Sequence, residues 1–90
     1  MADAWVEQQF TVERELGLHA RPSGLLVESA ASFASEIEIG RDGEWVSGSS
    51  VLSILSLAAT RGTTLSVRAR GADASKAVGV IGSIIAAPDD

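Results

Sequence analysis

The chain has 90 residues and a formal net charge of −5, with 46% hydrophobic and 21% charged residues, a length that sets one domain over residues 1–90 and a composition that excludes disorder. The acidic balance disfavours nucleic acid, the absence of cysteine and the single histidine disfavour a disulfide framework or a metal site, and no apolar run is long enough to span a bilayer. The expectation is a cytoplasmic monomer with no cofactor, no metal and no direct membrane insertion.

Between Val6 and Val12, Val6, Phe10 and Val12 share one parity while Glu7, Gln9 and Thr11 hold the other, with Gln8 the one polar exception. That alternation predicts a half-buried strand. Glu7, Glu13 and Glu15 read as solvent-facing charge. Arg14 reads either as a solvated loop residue or as a source of positive potential near His19.

After Gly17 the period changes. Leu26, Val27, Ala30, Phe33 and Ala34 recur at helical spacing and predict a helix over 20–34, beginning at or just after His19. Pro22 falls in its first turn, where the missing N–H costs little.

Ile37 and Ile39 then alternate with Glu36 and Glu38, and Arg41-Asp42-Gly43-Glu44 carries an Asp-Gly hairpin signal before Trp45-Val46. These two runs should pair antiparallel. A second helix is predicted over 50–59, opened by Ser47, Ser49 and Ser50 and closed near Gly62. Its apolar residues nearly encircle it. An inward stripe of Ile54, Leu57 and Ala58 leaves Val51, Leu52 and Leu55 outward, but Val51, Ile54, Leu55 and Ala58 make an equally good core stripe.

Leu65, Val67 and Ala69 alternate with Ser66, Arg68 and Arg70, a last strand whose arginines read as a solvated face rather than a basic strip. Gly71-Ala72-Asp73 offers a turn and an N-cap, and Ala77, Ile81, Ile84 and Ile85 mark the core stripe of a third helix that Pro88 stops. Gly79 and Gly82 inside that helix each weaken it by about 1 kcal/mol relative to alanine, so close packing is the expected reason for them. The order β-α-β-β-α-β-α gives an α+β fold, one four-stranded antiparallel sheet covered on one face by three helices.

The chemistry concentrates at His19, in the run Gly17-Leu18-His19-Ala20-Arg21-Pro22. A helix start supplies unpaired backbone N–H groups and a partial positive charge, so a phosphate on the imidazole would be stabilised there. Arg21 adds a cation with a fork of donors suited to phosphate oxygens.

That run, followed by Leu25-Leu26-Val27, resembles the active-site signature of HPr, the histidine-containing phosphocarrier of the phosphoenolpyruvate-dependent sugar phosphotransferase system. Ser50-Val51-Leu52-Ser53-Ile54-Leu55-Ser56-Leu57 is similar to that family's second helix with its regulatory serine, and Gly71-Ala72-Asp73-Ala74 to the turn into its last helix. The three matches occur in order across nearly all the chain.

The resemblance implies an open-faced β-sandwich. It implies that His19 accepts a phosphoryl group on Nδ1 from phosphorylated Enzyme I and passes it to sugar-specific IIA proteins or domains, a carrier between proteins rather than a small-molecule enzyme. The backbone N–H groups of Ala20 and Arg21 and the Arg21 guanidinium are then the expected phosphate-binding apparatus. Val51, Leu52 and Leu55 become the docking surface for Enzyme I and IIA. Ser50 corresponds to the serine that a kinase/phosphorylase modifies in many relatives, although Ser49 stands where a basic residue commonly precedes it. Two alternatives stay open: a regulatory paralogue of nitrogen type, and a binding module whose His19 is never phosphorylated.

Overall fold

A computed structural model describes residues 4–88. Its elements are β1 (Val6–Thr11), α1 (Ala20–Ala30), β2 (Glu36–Arg41), β3 (Glu44–Ser47), α2 (Val51–Leu55), β4 (Thr64–Arg70) and α3 (Ala74–Ala86), in the order expected from sequence. The strands form one antiparallel sheet in the order β1-β4-β2-β3. Opposed residues in such a ladder share a face, so the register Val67↔Ile39, Ala69↔Ile37, Val6↔Ala69 and Phe10↔Leu65 gathers the apolar parity of three strands on one side. The polar exception, Gln8, sits opposite Val67 on edge strand β1 and stays exposed.

The helices cover that apolar side. α3 lies on β1, β4 and β2, α1 packs on α3, and α2 lies between α1 and β3. Leu26 from α1, Ile54 from α2, and Ala77, Val78, Ile81 and Ile85 from α3 close over Ile39, Leu65 and Val67 to form the core. Ile84 belongs to its margin, being only partly buried. Gly82 is buried and a Cβ there would run into the Phe10 ring, whereas Gly79 has nothing within 4 Å of a Cβ. Close packing therefore accounts for Gly82 alone.

The opposite face of the sheet has no helix over it. There the guanidinium carbon of Arg68 lies 4.3 Å from the centre of the Trp5 ring and 4.0 Å from that of Trp45, and its Nε donates to Glu38 Oε1 at 2.8 Å. Arg70 stacks on Trp5 at 4.3 Å and donates to Glu36 at 2.9 Å. Both arginines are compensated by a carboxylate and an aromatic face, so they make no free basic strip.

Two helices stop earlier than periodicity predicts. α1 ends at Ala30 rather than Ala34, tightening through Ser32 N–H to Ser29 O and Phe33 N–H to Ala30 O. The next amides, of Ala34 and Ser35, are taken by the Asp73 carboxylate at 3.0 Å each, and the Ser35 hydroxyl donates to it at 2.5 Å. A donor already engaged across the fold cannot extend the helix. Asp73 occupies the N-cap position of α3 but its side chain does not cap it, because it serves this distant segment instead.

α2 ends at Leu55 rather than Ala59, since Ala58 turns into the left-handed region at φ 52°. The β2–β3 hairpin turns as its sequence predicts, with Asp42 at φ 52° and Gly43 at φ 84°. Among the described residues no helix is long and apolar enough to cross a membrane.

Candidate functional site

The segment between β1 and α1 is fixed from both sides. Gly17 adopts φ 69°, and a Cβ there would meet the Ala59 carbonyl and lie 2.9 Å from Thr60 Cα, so the position needs glycine for its conformation and for its closeness to that backbone. The next residue, Leu18, is buried and donates its N–H to Ala59 O at 2.9 Å. His19 therefore follows an anchored pair.

His19 is the N-cap residue of α1, extended at φ −78° and ψ −170°, with no capping bond from its side chain. The first bond of the helix runs from Ser23 N–H to His19 O at 3.1 Å. Ala20 and Arg21 precede that donor, so their N–H groups have no intrahelical acceptor, and Pro22 has none to offer. Pro22 and Ser23 are buried, and Ser23 Oγ donates to Leu18 O at 3.3 Å, tying the first turn down. Arg21 is exposed and, among the described residues, its guanidinium makes no ion pair or hydrogen bond. A half-buried imidazole, two uncommitted amides and an uncommitted guanidinium thus stand within three consecutive residues.

Arg14 is engaged elsewhere. Its Nη2 donates to Ile84 O of α3 at 3.4 Å, while its Nε is buried without a partner. It lines a groove of about 520 Å³ between α1 and α3 with Leu25, Glu28, Val80 and Ile84, a groove to which His19, Arg21 and Ser50 contribute nothing.

α2 packs beside α1. Ser50 is its N-cap, its hydroxyl accepting Ser53 N–H at 3.2 Å. Ile54 and Leu57 are 0% and 4% exposed, and Leu52 is 79% exposed. The stripe containing Ile54 and Leu57 is therefore the inward one. Val51 and Leu55 are half-buried rather than fully outward, and Ala58, placed in that inward stripe by periodicity, is exposed because the helix has already ended. Periodicity did not single out Leu16, which is 75% exposed two residues after Arg14 in the approach to His19. The available signal was a large aliphatic residue inside an otherwise polar loop.

Among the described residues no cluster of three or more histidine, cysteine, aspartate or glutamate side chains is arranged to hold a metal ion.

Known proteins resemble this chain over most of its length. The family model for the PTS HPr component phosphorylation site matches residues 6–87. The chain is 40% identical to the HPr-like protein Crh of Halalkalibacterium halodurans over 81% of its own length and 87% of that protein. It is 41% identical to part of the multiphosphoryl transfer protein of Haemophilus influenzae, covering 86% of this chain and 16% of that one. Among solved structures, the phosphocarrier protein HPr from Bacillus anthracis superposes with a TM-score of 0.87 at 32% identity, covering 92% of this chain and 99% of the other.

Proposed function

This chain belongs to the HPr family of phosphotransferase-system phosphocarriers, and from that premise we propose that His19 accepts a phosphoryl group from phosphorylated Enzyme I and passes it to sugar-specific IIA proteins or domains in the cytoplasm. The observation that supports it most is the place of His19 as the N-cap of α1, followed directly by Ala20 and Arg21, whose N–H groups precede the first intrahelical bond. In the reaction the lone pair of the imidazole Nδ1 attacks phosphorus, and the new N–P bond forms as the bond to the donor protein breaks. Delivery reverses these steps with the IIA nucleophile attacking, and no water is consumed. Oxygens of the transferred group take up negative charge, which the two amides, the helix end and the Arg21 guanidinium stabilise. Leu52, with Val51 and Leu55 beside it, supplies an apolar surface on which larger partners dock.

Ser50 phosphorylation by a kinase/phosphorylase is part of the same proposal. The added charge would sit at the start of α2, beside Leu52, and oppose docking of an acidic partner. The hydroxyl already serves as the helix cap, so its structural role needs no modification.

Two alternatives stand beside it: a regulatory paralogue of nitrogen type that uses the same histidine to report metabolic state, and, supported by the likeness to an HPr-like protein, a binding module whose His19 is never phosphorylated. Incubation with phosphoenolpyruvate and Enzyme I, followed by mapping of acid-labile phosphate, tests the carrier function. Label on His19, lost in His19→Ala, is the expected result; an unlabelled wild-type protein sinks it. Onward transfer is expected to a sugar-specific IIA component, and preference for a nitrogen-type component would select the regulatory alternative.

A further inference from the structure

A side chain of the β2–β3 hairpin holds the segment that follows α2. Arg41, the last residue of β2, donates from Nη1 to Leu57 O at 2.8 Å and to Ala58 O at 2.8 Å. These carbonyls lie just beyond α2, a helix of 5 residues that is too short to hold itself and whose own last carbonyls, of Leu52, Ile54 and Leu55, already accept the N–H groups of Ser56, Leu57 and Ala58. The chain leaves it through Ala58 at φ 52°, a conformation unfavourable for a residue with a Cβ, so an outside restraint is required to keep it. A guanidinium also matches the negative end of the helix.

The gripped segment continues directly into Ala59. Its carbonyl accepts Leu18 N–H at 2.9 Å, and its backbone abuts Gly17, so it holds the two residues that precede His19. Leu57 itself is buried, and through α2 it leads back to Leu52 and Leu55. One strap, residues 57–59, therefore joins the docking helix to the phosphoryl acceptor, and Arg41 clamps it from a strand that contributes nothing else to the site.

We infer that Arg41 is a positioning residue for phosphoryl transfer: it sets the placement of α2 relative to His19 and so the fit of both to a partner protein. This rests on the reading of His19 as the phosphoryl carrier. Arg41 bonds to residues 57 and 58 rather than to His19, Ala20 or Arg21, so its loss should act on docking more than on the capacity of His19 to be labelled.

The test uses Arg41→Gln and Arg41→Lys in the full chain, with Enzyme I and phosphoenolpyruvate as donor, at a temperature where each variant is folded by its ¹⁵N–¹H spectrum. Arg41→Gln should raise the KM of Enzyme I for this protein on the order of tenfold, short of the hundredfold that an ångström of misplacement can cost. The final extent of His19 labelling should stay unchanged, and the Leu18 and His19 amide resonances should shift. Arg41→Lys, which keeps the charge and can still donate to both carbonyls, should recover most of the KM and return those resonances toward their wild-type positions. A wild-type KM in Arg41→Gln, or no recovery in Arg41→Lys, overturns the inference. Should Arg41→Gln not fold, Arg41→Lys decides alone, because a KM many times that of wild type would show that the clamp is not what the lysine preserves. Failure of the wild-type protein to take label rejects the carrier function, and in that case unchanged Leu18 and His19 amides in Arg41→Gln would reject the clamp separately.

Discussion

Phe10 of β1 packs so closely against Gly82 of α3 that a single methyl group on the glycine would overlap the aromatic ring. The contact joins an edge strand to the helix that covers three of the four strands. It explains why a residue unfavourable to helices is used in the middle of one.

Gly82→Ala should therefore destabilise the fold by about 1–3 kcal/mol, the usual cost of overpacking, despite the better helix propensity of alanine. Gly79→Ala, three residues earlier and facing open space, should stabilise it by up to about 1 kcal/mol. Urea unfolding of both variants checks the pair. Equal effects would show that helix propensity, not the Phe10 contact, decides.

Asp73 should make the fold sensitive to acid. The Ser35 hydroxyl, then the Ala34 amide, with further bonds from the Ser35 amide, favour its charged form and hold the carboxyl below its ordinary 3.8. Stability from this group is complete above that ordinary value and is lost as pH falls through the lower value of the folded state. Asp73→Asn should therefore be less stable than wild type at neutral pH, and the gap should narrow as pH drops below the usual aspartate range. Urea midpoints between pH 7 and pH 2 measure this, and a gap independent of pH would exclude the carboxylate charge as its source.

Arg21→Ala should slow transfer without unfolding the protein. The guanidinium is exposed and has no partner among the described residues, so its removal leaves nothing unpaired. A hydrogen bond to a charged group is worth about 1.5–3 kcal/mol, which corresponds to a loss of roughly tenfold to a hundredfold in the rate of His19 phosphorylation. Rapid-quench labelling with Enzyme I provides the measurement, with a melting curve as control; an unchanged rate removes Arg21 from the mechanism.

Leu52→Gln should separate docking from stability. At 79% exposure the side chain contributes little to the core, so stability should change by no more than about 0.5 kcal/mol. If Leu52 anchors the partner, the KM of Enzyme I should rise about fivefold, equivalent to roughly 1 kcal/mol of lost contact. A KM equal to that of wild type would place the docking surface elsewhere.

Element order was legible because strand and helix periods differ and each segment obeys one of them. Val6 to Val12, Ile37 to Ile39 and Leu65 to Ala69 alternate, and Asp42-Gly43 marks the one tight hairpin. Helix ends were less legible. α1 stops short of Phe33 and Ala34 because Asp73, 39 residues away from Ala34, captures the amides that would have continued it. No local pattern encodes such a bond.

By itself, the sequence determined the α+β order, the identity of the histidine and its place at a helix start, since these follow from local periodicity and from residue types at short spacing. Tertiary structure alone decided which side of α2 faces outward, because Val51, Ile54, Leu55 and Ala58 satisfied the helical period as well as Ile54 and Leu57 did. It also turned Arg14 toward α3 and brought Ala59 against Gly17 and Leu18. Those outcomes depend on contacts between residues far apart in the chain, made only after the sheet and helices have packed, and it is these contacts that set His19 and Leu52 in place.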